Sequence, residues 1–215
     1  MTTARRITTL VGLFLTLVLP LAFALPWWRQ YVGVSGQILT PSHEALWWAL
    51  VAIVLAWVTV VERRGLGSIG LCRPGWRSIA FGFLGFGLIA GAGVLAANVM
   101  AHFGLAFNAS AYQKVLGLPY WLRFLIVLRA GVAEELFFRG YGIERLQELT
   151  GSKWVAAAIT LAIFSLAHIS YWGVAQVVIA GSAGLVLTLL YLWRRDLVTN
   201  MIAHFLTDAM GLLLR

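Results

Sequence analysis

The feature that most constrains this chain is a succession of long apolar segments, each close to the length that crosses a lipid bilayer. A transmembrane helix needs about 20 consecutive, mostly apolar residues. Segments near that length lie at roughly 7–26, 44–61, 78–101, 120–142, 153–169, 172–193 and 197–214. The pattern predicts an all-α fold, a polytopic transmembrane bundle of about seven helices.

Composition supports the same class of protein. Only 11% of the residues are charged and 61% are hydrophobic, whereas soluble domains carry about 25% charged residues. The net charge of +8 could suggest a nucleic-acid-binding protein, but the basic residues stand singly or in pairs beside apolar segments. We therefore expect contact with the lipid bilayer and no nucleic-acid partner. Residues 1–119 would hold three spans and an outer loop, and residues 120–215 about four further spans.

The Lys and Arg residues predict the orientation of the bundle. With the N-terminus in the cytoplasm, ten of them fall in inner segments and three in outer ones, as the positive-inside rule requires. The inner ones are Arg5, Arg6, Arg63, Arg64, Arg73, Arg77, Arg145, Lys153, Arg194 and Arg195, and the outer ones are Arg29, Lys114 and Arg215. The first segment also resembles a signal peptide, but six further spans favour an uncleaved helix. We expect a multi-pass protein of the bacterial inner membrane.

Two adjacent acids interrupt the fourth apolar segment. Ionisable groups inside a membrane span are costly and are candidates for function. Neighbouring side chains on a helix point about 100° apart, so Glu134 and Glu135 should have different surroundings. Glu135 and Arg139 are four residues apart and can form an ion pair. That pairing leaves Glu134 to face a cavity, although a purely structural role for both acids, with Arg129 as a second partner, is an alternative.

Polar residues also recur on two later spans. Phe164 and His168 share one helix face, and Asn200, His204 and Asp208 form a stripe with four-residue spacing. A polar stripe in an apolar helix must face protein or water rather than lipid. Structural hydrogen bonding between helices is the simpler explanation of either group taken alone.

The depths of these groups favour one shared site. At a rise of about 1.5 Å per residue, Glu134, His204 and His168 lie roughly 16, 12 and 22 Å from the inner ends of their helices. All three positions fall in the middle part of a hydrocarbon core about 30 Å thick. Convergence of three helices at one depth is therefore expected.

Together, these residues resemble the motifs of the CPBP family. That family contains the CAAX-processing proteases of the Ras-converting type, the bacterial Abi proteins linked to bacteriocin immunity, and related intramembrane glutamic endopeptidases. The resemblance covers roughly residues 120–212, and the first three spans carry no motif. The motifs are Glu134-Glu135-x-x-x-Arg139, Phe164-x-x-x-His168 and His204-x-x-x-Asp208.

The resemblance implies an all-helical intramembrane protease. Because the sequence lacks an HExxH pair, we expect no cofactor. Glu134 would be the general base on a water molecule, His168 would help to hold that water, and His204 with Asp208 would form the oxyanion site. Glu135 and Arg139 would be a supporting ion pair.

Asp208 departs from the commoner family pattern, which has Asn at its position. An ionised Asp would repel an oxyanion, so Asp208 is either protonated or accepts a hydrogen bond that orients His204. The four-residue spacing favours the second role. Phe164 and Asn200 are predicted to support the site.

Three other functions fit parts of the pattern. His168, His204 and a carboxylate could form an open zinc site, although the sequence lacks an HExxH pair. A non-catalytic immunity or binding protein could use the same scaffold, and a proton-coupled transporter could use the buried acids, although no internal repeat is visible. For a protease, we expect a membrane-anchored protein or peptide as substrate, cut in a transmembrane or C-terminal tail, with a pheromone or bacteriocin as the alternative. A homo-oligomer is possible.

Overall fold

The part of the chain that the computed structural model describes, residues 2–24 and 41–214, consists of helices and short connections without a strand. The predicted all-α fold is confirmed. The helices are α1 (3–24), α2 (Pro41–Val61), α3 (Trp76–His102), α4 (Ala109–Leu116), α5 (Tyr120–Thr150), α6 (Lys153–Ala167), α7 (Ile169–Trp172), α8 (Gln176–Arg194) and α9 (Leu197–Leu212).

Each of the seven predicted segments is mostly helical where it is described, although residues 173–175 of the sixth and 213–214 of the seventh are not. Within residues 2–24 and 41–214, five helical segments are long and apolar enough to cross a membrane: α1, α2, α3, α6 with α7, and α8. Helices α4 and α5 together would make a sixth span, bent by 117°. Helix α9 has 16 residues, fewer than the roughly 20 that a full span needs. The chain is thus an integral, multi-pass membrane protein.

The boundaries differ from the predicted ones in three places. Residues 170 and 171, the predicted gap between the fifth and sixth spans, lie inside α7, and the sixth span begins at Gln176 rather than at 172. The predicted outer loop before the fourth span contains α4, and the fourth span itself continues eight residues beyond its predicted end at 142, to Thr150. Hydropathy misses α4 and the last residues of α5 because these residues are polar or charged. Packing against the rest of the bundle, rather than an apolar sequence, stabilises them as helix. Residues 25 and 26 of the first predicted span, together with Arg29 and Arg215, lie outside the described residues.

Helix α5 lies at the centre of the bundle, in contact with α1, α2, α6 and α9. From Ala130 to Ile143 its backbone is π-helical, with hydrogen bonds that span five residues. Side chains on most sides of this segment are fully buried, including Ala133, Phe137 and Tyr141. Surrounding protein therefore separates the polar residues of α5 from lipid, as their cost in hydrocarbon requires.

Helix α9 begins at a well-formed cap that fixes its start beside α3. The carboxylate of Asp196 accepts hydrogen bonds from the backbone nitrogens of Val198 at 3.1 Å and Thr199 at 3.4 Å. Burial acts to raise the pKa of Asp196, but its hydrogen bonds with Ser78 and Thr199 outweigh burial and lower it. Such a cap typically stabilises a helix by about 1 kcal/mol.

Ion pairs join several helices at the end of the bundle that carries most basic residues. Arg145 is fully buried and donates to Glu62 at 2.6 Å and to Glu148 at 3.3 Å. Arg64 donates to the same Glu148 at 2.5 and 2.9 Å, and Arg5 contacts it at 3.4 Å. Segments that are distant in sequence therefore bring predicted cytoplasmic residues to one face.

Glycine at position 140 allows α5 to approach two neighbouring segments closely. A Cβ atom there would lie 2.9 Å from the backbone oxygen of Ile69 and 3.0 Å from a methyl group of Leu197. Exposed Gly87 on α3 differs, because a Cβ atom would meet nothing within 4 Å. The two positions form a matched pair for testing the packing.

We expect Gly140→Ala to lower the free energy of unfolding by about 1–3 kcal/mol, since backbone must move to admit the methyl group. Gly87→Ala should be neutral or stabilising by up to about 1 kcal/mol, because alanine is the better helix former. Thermal unfolding in detergent, followed by circular dichroism, measures both. Equal melting temperatures for the two variants would contradict the close approach of α5.

Candidate active site

Glu135 is the centre of a buried hydrogen-bond network between α5 and α9. Its Oε1 accepts from Arg139 at 3.0 Å and from Nδ1 of His204 at 2.8 Å, and its Oε2 accepts from Asn200 at 3.1 Å. The Glu135 side chain is 0% exposed. The Glu135–Arg139 pair forms as expected, and the contacts of Glu135 with His204 and Asn200 are ones that the sequence did not reveal. Both carboxylate oxygens are occupied, which leaves Glu135 poorly suited to proton transfer.

Phe164 contacts Arg139 of this network and both histidines of the motifs. Its ring is 4.1 Å from the Arg139 guanidinium carbon, a cation–π distance. The ring centroids of His168 and His204 are 4.8 and 6.4 Å from that of Phe164. Helices α5, α6 and α9 therefore bring the residues of all three motifs together around one aromatic side chain.

His204 is oriented by Glu135 rather than by Asp208. Because an ionised carboxylate only accepts, Nδ1 of His204 donates to Glu135, and Nε2 is left on the other side of the ring. Nε2 lies 3.6 Å from Oδ2 of Asp208, beyond hydrogen-bond length. The predicted hydrogen bond between Asp208 and His204 is not formed, since Glu135 already holds the ring from α5. The Asp208 side chain is more exposed than that of His204, at 31% against 10%.

Glu134 faces away from this network and lines a cavity. The cavity has a volume of about 160 Å³, and 14% of the Glu134 side chain is exposed. One oxygen of Glu134 lies 3.5 Å from a terminal nitrogen of Arg129. The two adjacent acids thus have separate surroundings, as the helical geometry predicts. The cavity is lined by Pro20, Leu21, His43, Trp47, Val115, Ile126, Arg129, Glu134, Phe138, Ala167, His168, Ser170, Tyr171, Trp172 and Leu212.

His168 lines the same cavity at the end of α6. Its Nδ1 lies 2.7 Å from the backbone oxygen of Phe164, and a carbonyl oxygen can only accept. The proton is therefore on Nδ1, and Nε2 carries a lone pair that can accept a hydrogen bond from water. A half-buried histidine that lines the same cavity as Glu134 is suited to hold a water molecule.

Three residues next to Glu134 were not singled out from the sequence as one group. Nε of Arg129 donates to both oxygens of Glu44, at 3.2 and 3.0 Å, and the guanidinium carbon lies 4.9 Å from the ring of Trp47. Glu44 is the first residue of the second predicted span, and it is only 2% exposed. Its position inside an apolar segment, three residues before Trp47, was the available signal.

The donor groups do not form a metal site in the described ranges. Among residues 2–24 and 41–214, no group of three or more His, Cys, Asp or Glu side chains is arranged to hold a metal ion. The zinc ligands considered from the sequence, His168, His204 and a carboxylate, are not gathered into such a group in this part of the chain.

Comparison with known families bears on the same part of the chain. Residues 116–210 match the family model described as type II CAAX prenyl endopeptidase Rce1-like. This segment is an Rce1-like domain. All three motifs fall inside the domain, and the resemblance to CAAX-processing proteases of the CPBP family is confirmed. No curated protein and no solved structure matches the chain.

The Rce1-like domain supports a general activity for the protein. Combined with the multi-pass helical bundle, it indicates an intramembrane endopeptidase. The domain contains α5 to α9 except for a few residues at the end of α9, whereas Glu44 and Trp47 of α2 precede it. The candidate site is thus built mainly, but not entirely, by the Rce1-like domain.

Proposed function

We propose that this protein hydrolyses a peptide bond within the membrane by means of a water molecule activated by Glu134. The observation that carries the proposal is the division between the two adjacent acids. Glu135 is fully buried and both of its oxygens accept hydrogen bonds, whereas Glu134 lines a cavity beside His168. Glu134 is thus the carboxylate of the pair that water and substrate can approach.

The chemistry follows from this arrangement. A water molecule held by Nε2 of His168 gives a proton to Glu134 as its oxygen attacks the carbonyl carbon of the substrate. The C–O bond forms and the carbonyl becomes an oxyanion. Nε2–H of His204, when the ring is doubly protonated, donates to that oxyanion. Glu134 then passes its proton to the leaving nitrogen as the C–N bond breaks, which gives a carboxylic acid and an amine.

The rate effects typical of a general base and of an oxyanion donor are large enough for the roles proposed for Glu134 and His204. A positioned general base typically accelerates a reaction by about 10²–10⁴-fold. A preorganised oxyanion donor contributes about 2.7–4 kcal/mol. His204 is preorganised in this sense, because Glu135 holds its Nδ1 at 2.8 Å before any substrate binds. No metal or other cofactor is required by this mechanism.

The cavity suggests an apolar, extended substrate. Around Glu134, its walls include Trp47, Phe138, Tyr171 and Trp172, and aromatic side chains accommodate apolar groups well. We propose a transmembrane or C-terminal tail of another membrane protein as the substrate, with a peptide pheromone or bacteriocin as the alternative. A prenylated tail is the precedent in the family description. The proposed location is the bacterial inner membrane, with the N-terminus in the cytoplasm.

We expect purified protein in liposomes to cleave a library of membrane-anchored peptides and to keep that activity in excess chelator. His168→Ala should lower kcat by about 10²–10⁴-fold, because the water loses its second holder. The control is His102→Ala, an exposed residue at the C-terminal end of α3 that does not line the cavity, and it should leave cleavage unchanged. Product masses identify the bond that is cut.

Two results would count against the proposal. Loss of cleavage in chelator that zinc restores would assign the reaction to a metal. Cleavage by His168→Ala at the rate of the unchanged protein would remove His168 from the mechanism. Comparison of C-terminal peptides in cells with and without the His168→Ala change would then identify the natural substrate.

A further inference from the structure

We propose that Arg129 is a positioning residue for Glu134, and that Glu44 of α2 holds Arg129 in that role. This inference rests on the proposed function, in which Glu134 is the base. The Arg129 guanidinium lies between the carboxylates of Glu44 and Glu134, and it is closer to Glu44. Nε of Arg129 is 3.0 and 3.2 Å from the two oxygens of Glu44, whereas Nη1 is 3.5 Å from Glu134.

The unequal distances matter because a base must keep a free lone pair. A charge-assisted hydrogen bond between nitrogen and a carboxylate is about 2.7–2.9 Å long, so the 3.5 Å contact with Glu134 is an electrostatic one. It places a positive charge near the carboxylate without occupying either oxygen with a short hydrogen bond. Glu135 shows the opposite case, since Arg139, Asn200 and His204 occupy both of its oxygens.

The guanidinium is fixed by more than one side chain of α2. Glu44 and Trp47 are three residues apart and share a helix face. Trp47 stacks beneath Arg129 with 4.9 Å between the guanidinium carbon and the ring centroid. Trp47 in turn packs on Phe137 of α5, with 6.1 Å between ring centroids. Both Glu44 and Arg129 are buried, at 2% and 8% exposure, so solvent screens their interaction little.

The arrangement gives α2 a part in the site even though α2 lies outside the Rce1-like domain. If Glu44 is removed, Arg129 loses its short contacts and turns to the nearest remaining carboxylate, which is Glu134. The base would then be held in a direct ion pair, much as Glu135 is. Glu44 does not line the cavity, and the lining residues other than Arg129 keep their places, so the loss should fall mainly on kcat rather than on KM.

We expect Glu44→Gln to lower kcat by about 10- to 100-fold and to change KM by less than about threefold. Glu44→Asp, which retains the carboxylate, should recover most of kcat. The control is Glu62→Gln at the other end of α2, which breaks the buried pair with Arg145 (2.6 Å) far from the cavity. It should lower the melting temperature as Glu44→Gln does but leave kcat per folded molecule unchanged.

A second variant tests the positioning role of Arg129 if Glu44→Gln does not fold. Arg129→Lys keeps a cation but lacks the Nε contact with Glu44, and it should show the same loss of kcat. Unchanged kcat in Glu44→Gln, or in Arg129→Lys where the first variant is unfolded, would overturn the inference while leaving Glu134 as the base. Cleavage by Glu134→Gln at an undiminished rate would instead overturn the proposed function itself.

Discussion

Glu134→Gln should abolish measurable peptide cleavage while the protein remains folded. Glutamine has the same shape but cannot accept a proton from water, so kcat should fall by at least about 10²–10⁴-fold. The change in stability should be small, because the contact of Glu134 with Arg129 is long, at 3.5 Å, and Arg129 keeps its bonds to Glu44. Single-turnover cleavage in liposomes measures the rate, and thermal unfolding in detergent measures the fold.

The contrast with Glu134→Asp makes the experiment specific. Aspartate keeps the carboxylate but withdraws it by one methylene, so a low rate should return that glutamine does not give. Cleavage by the glutamine variant at the unchanged rate would assign the base elsewhere. Asp208, with 31% of its side chain exposed, would then be the next carboxylate to test.

Glu135→Gln, unlike Glu134→Gln, should destabilise the fold as well as abolish activity. The substitution removes the charge that compensates buried Arg139, which is 1% exposed. Breaking a buried ion pair from one side typically costs about 3–5 kcal/mol. Cleavage should be lost too, because His204 loses the carboxylate that fixes its Nδ1. Urea or thermal unfolding, together with the cleavage assay, separates this variant from Glu134→Gln.

A double variant distinguishes the two consequences of removing Glu135. Replacing both members of a buried ion pair by residues of similar volume is often close to neutral, so Glu135→Gln with Arg139→Met should recover much of the stability. Cleavage should stay low, since His204 still lacks the charged carboxylate that holds its Nδ1. Recovery of cleavage along with stability would contradict the orienting role of Glu135.

The transmembrane helices were predictable because their signal is local. An apolar run of bilayer length specifies a spanning helix whatever its neighbours are, and spacing along one helix specifies pairs such as Glu135 with Arg139. That pair forms even though the backbone between Ala130 and Ile143 is π-helical, because residues four apart remain neighbours in either kind of turn.

What the sequence could not supply was the choice between partners on different helices. His204 has two carboxylates near it, and nothing in the spacing says that Glu135 on α5, rather than Asp208 on its own helix, takes Nδ1. Glu44 is a similar case. An acid at the edge of an apolar segment reads as a residue at the water interface, and only the packing of α2 against α5 gives it buried Arg129 as a partner.

The two ends of the bundle differ in a way that constrains when a substrate can be cut. Basic residues such as Arg5 and Arg64 cluster at one end, whereas Leu21, His43 and Leu212 line the cavity towards the other. With the N-terminus in the cytoplasm, as we propose, the cavity lies towards the outer side of the membrane. If the substrate is a tail of another membrane protein, as we also propose, that tail must cross the membrane before it is cleaved, and a tail that stays in the cytoplasm should not be cut.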